Sequence, residues 1–176
     1  RYDRFGVTQG PEFRVNVNDL PGTSPFPPGR FEINPTAAMS GPSGDFVIAW
    51  EVVVSQSNGV ATDTVIAGRM YDANGAPLTG EIRLDSGVGS GGLDQFRVAR
   101  NPQMVMDDQG GFYMAWESYV VMTPALPDDY DVFYREFNSA GGVVATGQSN
   151  LAQFFGHQVN PSIGVDADGD FSVVWN

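Results

Sequence analysis

The sequence predicts an all-β fold of short antiparallel strands, and three observations support this prediction. Glycine (22 residues) and proline (12 residues) are abundant, which is typical of strands joined by many turns rather than of helices. Hydrophobic residues make up 41% of the chain and aromatic residues 12%, so a packed core is feasible. Finally, similar stretches recur along the chain, which indicates a fold built from repeated units.

The first repeated block combines Asn-Pro, a short apolar strand, a glycine turn and the pattern Phe-x-apolar-x-Trp. It occurs at residues 34–51, 101–118 and 160–176. Its tryptophans, Trp50, Trp116 and Trp175, lie 66 and 59 residues apart, so the period is about sixty residues with variable loops. The corresponding turn glycines are Gly44, Gly110 and Gly169.

A second block repeats between these copies. Residues 2–16 (YDRFGVTQGPEFRVN) match residues 71–85 (YDANGAPLTGEIRLD), and residues 137–147 form a weaker third copy. Gly6, Gly75 and Gly141 occupy the turns, where a residue able to take positive φ is expected. Each complete period therefore contains four strands: two from the first block and two from the second.

The strand faces predict how these units pack. In the Phe-x-apolar-x-Trp strands, Phe46, Ile48 and Trp50 share one face, while Val47 and Ala49 are apolar or small on the other. A strand that is apolar on both faces is covered on both faces, as in a sheet stacked between two similar sheets. We therefore predict a β-propeller of four-stranded antiparallel blades, in which the tryptophans stack between blades. The alternative, a β-sandwich, is not normally built from such long internal repeats.

The predicted division is a half blade at 1–16, a blade at 34–85, a blade at 101–150 and a half blade at 160–176. The two halves together make one blade, giving three blade-equivalents, whereas closed propellers typically have about 4–8. One hypothesis is a homodimer that closes a six-bladed ring. The other is that the chain is part of a longer propeller; Arg1 is not a natural start, so a leader or upstream region is expected in that case.

Composition excludes several classes of function. The chain has no cysteine, which excludes disulfides, zinc thiolates and a cysteine nucleophile. It has no lysine and a net charge of −12, which disfavours nucleic-acid binding and excludes Schiff-base lysine chemistry. No apolar run is long enough to cross a membrane, so membrane insertion is not expected. Acidity of this kind suits solubility in a salty or extracellular medium.

The repeated pattern, from Asn-Pro through Gly-x-Phe-Val-x-x-Trp to Gly-Glu-x-Arg-Val-Asn, resembles repeats of very large secreted bacterial calcium-binding proteins of the RTX-adhesin kind. The resemblance covers most of the chain outside the long loops, although no RTX nonapeptide is present. It implies an extracellular or cell-surface setting, and it concerns architecture rather than activity.

Calcium is the one metal that the sequence suggests. Asp166, Asp168 and Asp170 alternate in a turn and offer hard oxygen ligands. However, the corresponding turns of the other copies keep only the middle glycine and vary the carboxylates. Neither the EF-hand spacing nor a sialidase Asp-box fits, so a glycine-governed hairpin turn is the favoured interpretation and calcium the alternative.

The long loops suggest a ligand site. The predicted loops after the second strand (52–63 and 118–131) and before the first strand (17–33, 86–100 and 151–159) would share one face of a propeller, where binding sites tend to be built. The second set places aromatic rings beside Arg or His, a combination that suits sugars or carboxylated ligands. The candidate residues are Arg30, Phe31, Phe96, Arg97, Phe155 and His157. The competing interpretation is that these rings cap the core and the arginines pair with nearby carboxylates.

No catalytic motif is present. His157 is the only histidine, and no nucleophile-elbow motif occurs. Glu51 and Glu117 follow repeated tryptophans and could form a carboxylate pair, but the sequence fixes no separation between them. The acidic run at Asp128, Asp129 and Asp131 is expected to be a solvated loop.

We therefore expect a non-catalytic binding or assembly module that takes a glycan or protein ligand on the long-loop face. The alternatives are a glycoside-hydrolase-like enzyme and a purely structural repeat of a giant adhesin.

Overall fold

The structure is a computed structural model, and it describes residues 1–16, 30–57, 60–86, 98–120, 129–148 and 156–176. The described residues form ten β-strands and no helix. The strands are β1 (Phe31–Met39), β2 (Phe46–Ser57), β3 (Val60–Tyr71), β4 (Ile82–Arg83), β5 (Ala99–Met106), β6 (Phe112–Val120), β7 (Asp129–Phe137), β8 (Val143–Gln148), β9 (Ser162–Val165) and β10 (Phe171–Val174). Over this part of the chain no helical segment could span a membrane.

The strands pair in chain order. The first sheet is β1-β2-β3-β4, the second sheet is β5-β6-β7-β8, and β9 and β10 form a hairpin. Neighbouring strands run antiparallel throughout. The prediction of an all-β fold with four-stranded antiparallel units is therefore confirmed.

One turn recurs in five places and explains five of the six repeated turn glycines, all except Gly44. In each, a leading Asp or Asn accepts side-chain hydrogen bonds from two backbone N–H groups further along, and a glycine three residues later takes positive φ. The turns begin at Asp3, Asp72, Asp107, Asn138 and Asp166. Since L-residues with a Cβ are strained at this φ, the glycine is required by geometry.

The Asn-Pro dipeptides also adopt a common conformation. Asn34, Asn101 and Asn160 have φ of 51°, 54° and 57°, and they are the non-glycine residues with positive φ in the described structure. We expected each first strand to follow Asn-Pro, as β9 does. In β1 and β5, however, the dipeptide lies inside the strand, at a bulge where the pairing register shifts. Asparagine is one of the few side chains that tolerate this backbone region, so it can shape such a bulge.

The main core lies between the two sheets. Val47 and Ala49 of the first sheet are fully buried and belong to one cluster with Met114 and Trp116 of the second. Ile66, Met70 and Leu84 of the first sheet belong to the same cluster, so both sheets contribute large side chains to the core. Burial of Trp116 alone contributes about 4–6 kcal/mol as an upper bound.

Two predictions about individual segments were wrong. Residues 52–63 are not a long loop, because β2 continues to Ser57 and β3 begins at Val60. Residues 1–16 were expected to supply two strands, but they form only an isolated bridge between Tyr2 and Thr8. They pack instead against the first sheet, where the rings of Phe13 and Tyr71 lie 5.3 Å apart.

Candidate functional site

The site is built around two glutamates that follow the repeated tryptophans. Glu51 lies opposite Ile33 in the first sheet, and Glu117 lies opposite Arg100 in the second. Their side chains are almost completely buried, at 3% and 2% exposure. A buried carboxylate is costly unless it accepts hydrogen bonds, so the partners of these two groups are informative.

Glu51 joins the two sheets through its Oε1 atom. This oxygen accepts from Asn34 Nδ2 of its own sheet at 2.9 Å and from the backbone N–H of Asn101 in the next sheet at 2.6 Å. Both lone pairs of Oε1 are therefore used. No described group donates to the second oxygen, Oε2.

Glu117 repeats this arrangement one unit further along. Its Oε1 accepts from Asn101 Nδ2 at 2.9 Å and from the backbone N–H of Asn160 at 2.7 Å. Its Oε2 accepts from Arg100 Nε at 2.7 Å, which adds a salt bridge. We call this repeated pattern the Glu–Asn contact: a glutamate bound by the side chain of one asparagine and the backbone of the next.

The Glu–Asn contacts form the wall of a polar cleft. The cleft has a volume of about 600 Å³ and draws residues from the first sheet, the second sheet and the segment before β9. Its lining consists of Asn34, Pro35, Glu51, Arg100, Asn101, Pro102, Gln103, Glu117, Val159 and Asn160. Amide and carboxylate groups therefore converge on one space from three repeated units.

Aromatic side chains lie next to this cleft. The guanidinium carbon of Arg100 lies 3.7 Å from the ring centre of Tyr130, at the start of β7. The ring of Tyr130 also contacts Tyr119 at 5.3 Å and His157 at 5.6 Å, measured between ring centres. We call Tyr119, Tyr130 and His157 the aromatic rim.

Asp129 holds part of this rim in place. Its Oδ2 accepts from the backbone N–H of Gly156 at 2.9 Å, and its Oδ1 lies 2.6 Å from His157 Nδ1. The backbone N–H of Tyr130 lies between the two groups, 2.8 Å from Asp129 Oδ1 and 3.2 Å from His157 Nδ1. The His157 side chain is 62% exposed, so the rim is open to solvent there.

The acidic run at Asp128, Asp129 and Asp131 was expected to be a solvated loop, and this expectation was wrong for the two residues that the structure describes. Asp129 and Asp131 are 8% and 2% exposed, so they are buried anchors rather than solvated charges, while Asp128 lies outside the described residues. Asp131 accepts from Gln148 Nε2 at 2.7 Å.

Of the three predicted ligand-binding residues that the structure describes, Arg30, Phe31 and His157, it brings His157 to the rim. Phe31 is 65% exposed and Arg30 lies near Asp63, and neither lines the cleft. Partial burial lowers the pKa of Arg30, and the charge of Asp63 opposes this effect. Phe96, Arg97 and Phe155 lie outside the described residues.

Sequence reasoning missed Arg100 and Tyr130. Arg30 and Arg97 each lie four residues before an Asn-Pro, whereas Arg100 immediately precedes Asn101 and has no counterpart in the other copies. Tyr130 lies between Asp129 and Asp131, in the run that was expected to be a solvated loop. A usable signal existed for the asparagines, because Asn-Pro and Trp-Glu repeat together in two of the copies.

The carboxylates proposed for calcium belong to one of the five recurrent turns. Asp166 Oδ1 accepts from the backbone N–H groups of Asp168 and Asp170, each at 3.0 Å. Asn138 makes the same bonds with a neutral side chain, so the turn itself does not need a charge. Across the described ranges, no three acidic or histidine side chains gather closely enough to hold a metal ion. Calcium binding stays a prediction.

No protein-family model matches the chain, and no curated protein matches it. Among solved structures, it is similar to an endo-arabinase from Bacteroides thetaiotaomicron VPI-5482, with 14% identity and a TM-score of 0.49. That alignment covers 85% of this chain and 52% of the endo-arabinase chain. It is also similar to an alpha-L-arabinofuranosidase from Lactobacillus brevis, with 14% identity, a TM-score of 0.45, and coverage of 99% and 57%. The chain thus spans just over half the length of either structure, and we infer no activity from these similarities.

Proposed function

We propose that this protein is a non-catalytic binding module of the cell exterior, whose sheets are blades of a β-propeller and whose ligand is a neutral glycan. The observation that carries the proposal is the polar cleft, built by three repeated units and bordered by the aromatic rim. Sugars combine apolar faces, which lie on aromatic rings, with hydroxyls, which bind amides and carboxylates.

The charges favour a neutral ligand over an acidic one. Arg100 is the cation of the cleft, but its Nε is already bound to Glu117 and its guanidinium lies over Tyr130. Glu51 adds a further negative charge, and the chain as a whole carries −12. A carboxylated glycan would therefore be repelled. A sugar hydroxyl, in contrast, can donate to Glu51 Oε2.

A hydrolase is the second candidate, since two carboxylates line the same cleft. A hydrolytic role is less favoured, because each glutamate already accepts a hydrogen bond from the next repeated unit. Both oxygens of Glu117 accept hydrogen bonds, Oε1 from Asn101 and Asn160 and Oε2 from Arg100, so its use as an acid or base would break one of these contacts. Glu51 Oε2 alone does not supply the two carboxyl groups that glycoside hydrolysis uses.

A glycan array that contains neutral and acidic sets, run beside a panel of glycosidase substrates, tests the proposal. We expect binding to neutral glycans and no hydrolysis. Tyr130→Ala should weaken binding at least about tenfold, whereas Phe5→Ala, which removes a ring that is 75% exposed and lines neither cavity, should not. Hydrolysis lost in Glu51→Gln would establish the enzyme instead. Absence of any binding would favour a purely structural repeat.

A further inference from the structure

Glu51 is a buried carboxylate that forms no ion pair with the described arginines or histidine. It lies between Ile33 of β1 and Ile66 of β3 in the pairing of the first sheet, and it is 3% exposed. Its hydrogen bonds come from neutral groups, the side chain of Asn34 and the backbone of Asn101. Buried charges in proteins are paired with an opposite charge or coordinate a metal ion, so the missing counter-charge calls for an explanation.

The second sheet shows how the equivalent charge is balanced. Glu117 makes the same two bonds at Oε1, and Arg100 Nε lies 2.7 Å from its Oε2. Arg100 lies opposite Glu117 in the pairing of β5 and β6, whereas the residue opposite Glu51 in the pairing of β1 and β2 is Ile33. The arginine of the second sheet thus corresponds to an apolar residue of the first. Oε2 of Glu51 therefore has both lone pairs open to a further partner.

This oxygen is available to the polar cleft. Glu51 lines the cleft, and its Oε1 is already used by the two asparagines, so Oε2 is the atom that can meet a ligand there. The charged residues of the lining are Glu51, Glu117 and Arg100, which leaves one negative charge uncompensated. The cleft therefore attracts a positive charge to Glu51, and the attraction is strengthened by the partial exclusion of water around this side chain.

Neutral oxygen atoms lie in the same lining. Asn34 uses its Nδ2 atom to bind Glu51, which leaves its Oδ1 for another partner. Asn160 is exposed in the lining, and no described group donates to its Oδ1. Carboxylate and amide oxygens are the ligands that calcium prefers, and calcium accepts flexible geometry with water in the remaining positions. The described lining has no histidine or sulfur ligand, which transition metals would prefer.

We propose that Glu51 Oε2 binds a calcium ion in the polar cleft, with amide oxygens of the lining and water as its other ligands. Calcium affinity depends on the number of charged ligands, so one carboxylate predicts a weak site, with a Kd of about 10⁻⁴–10⁻³ M as in extracellular modules. Because Glu51 acts together with neutral oxygens, the site needs no group of three acidic side chains. It is separate from the turn at Asp166, and it does not depend on the proposed glycan.

Thermal unfolding of the intact chain, freed of metal with EDTA and then measured with and without calcium chloride, tests this proposal. With a Kd of about 1 mM, calcium at about 10 mM should raise the Tm by about 3–6 °C. Sodium chloride at the same ionic strength is the control for general screening of the net charge of −12, and it should raise the Tm by much less.

Two variants identify the ligand. Glu51→Gln keeps an oxygen for the two asparagine bonds but replaces Oε2 by an NH₂ group, so the calcium-induced rise should disappear. Ile33→Arg supplies the counter-charge found in the second sheet, at a position that is 43% exposed, and should also remove the rise. Glu12→Gln makes the same chemical change at an exposed carboxylate outside the cleft, so this matched control should keep the rise of the wild type.

Each variant is compared with its own calcium-free Tm, so a lower stability of either does not obscure the result. A wild-type Tm that rises no more with calcium than with sodium chloride would overturn the proposal. So would a rise that persists in Glu51→Gln, and its loss in Asp168→Ala would then place the ion in the Asp166 turn. The titration uses the metal alone, so a failure of every glycan to bind would count against the proposed function and not against this site.

Discussion

The Glu–Asn contact predicts a large effect for a single substitution, Glu117→Ala. The change removes the acceptor of Asn101 Nδ2 and of the Asn160 backbone N–H, and it breaks the salt bridge to Arg100. Hydrogen bonds to a charged acceptor contribute about 1.5–3 kcal/mol each. The Arg100 side chain is 40% exposed, so its ion pair adds at most about 1 kcal/mol. We expect a loss of about 4 kcal/mol in the free energy of unfolding.

Urea denaturation followed by circular dichroism measures this loss. With an m-value of about 2 kcal/mol/M, the midpoint should fall by about 2 M. Glu117→Gln should cost less, about 1–2 kcal/mol, since its amide oxygen still accepts both bonds while its NH₂ group opposes Arg100. Asp168→Ala also removes one negative charge, but from an exposed turn, and should change stability by no more than about 0.5 kcal/mol. Equal urea midpoints for Glu117→Ala and Asp168→Ala would show that the Glu–Asn contact does not stabilise the fold.

Three further predictions follow from the turns and the core. Gly110→Ala forces a side chain onto a φ of +85° and should cost more than about 1 kcal/mol in urea melts, whereas Gly80→Ala, in open space, should be neutral. Burial, and then the hydrogen bond to the Asp107 carboxylate, raise the pKa of Tyr113 to about 12. Because the unfolded tyrosine ionises near pH 10, the free energy of unfolding should fall between about pH 10 and 12. The fall should be smaller in Tyr113→Phe. Asp166→Asn should keep the turn and Asp166→Ala should cost about 1 kcal/mol, while a calcium-induced rise in Tm that is lost in Asp168→Ala would establish a calcium site.

The repeat architecture could be predicted because each element is determined locally. A turn that needs a glycine at positive φ and a strand with alternating faces each produce a recognisable local sequence pattern, for example at Gly110 and at Phe112–Trp116. These patterns predicted the starts of β2 and β6 and the faces of Val47 and Ala49, which the structure buries completely.

The candidate site was less predictable because it depends on contacts between units. Nothing local shows that Glu51 binds the backbone of Asn101, 50 residues away. Arg100 and Tyr130 are likewise brought together only by the pairing of β5, β6 and β7. The extended hairpin of β2 and β3 is a different case: Asn58-Gly59 is a strong hairpin signal that could have corrected the assignment of a long loop.

The most direct test of the proposed function is calorimetric titration of the best neutral glycan from the array into the wild-type protein and into Tyr130→Ala. We expect measurable binding by the wild type without product formation. In the variant the affinity should fall at least about tenfold, equivalent to about 1.4 kcal/mol. Equal affinity in the two proteins, or no neutral glycan that binds at all, would contradict a binding site at the cleft and its aromatic rim.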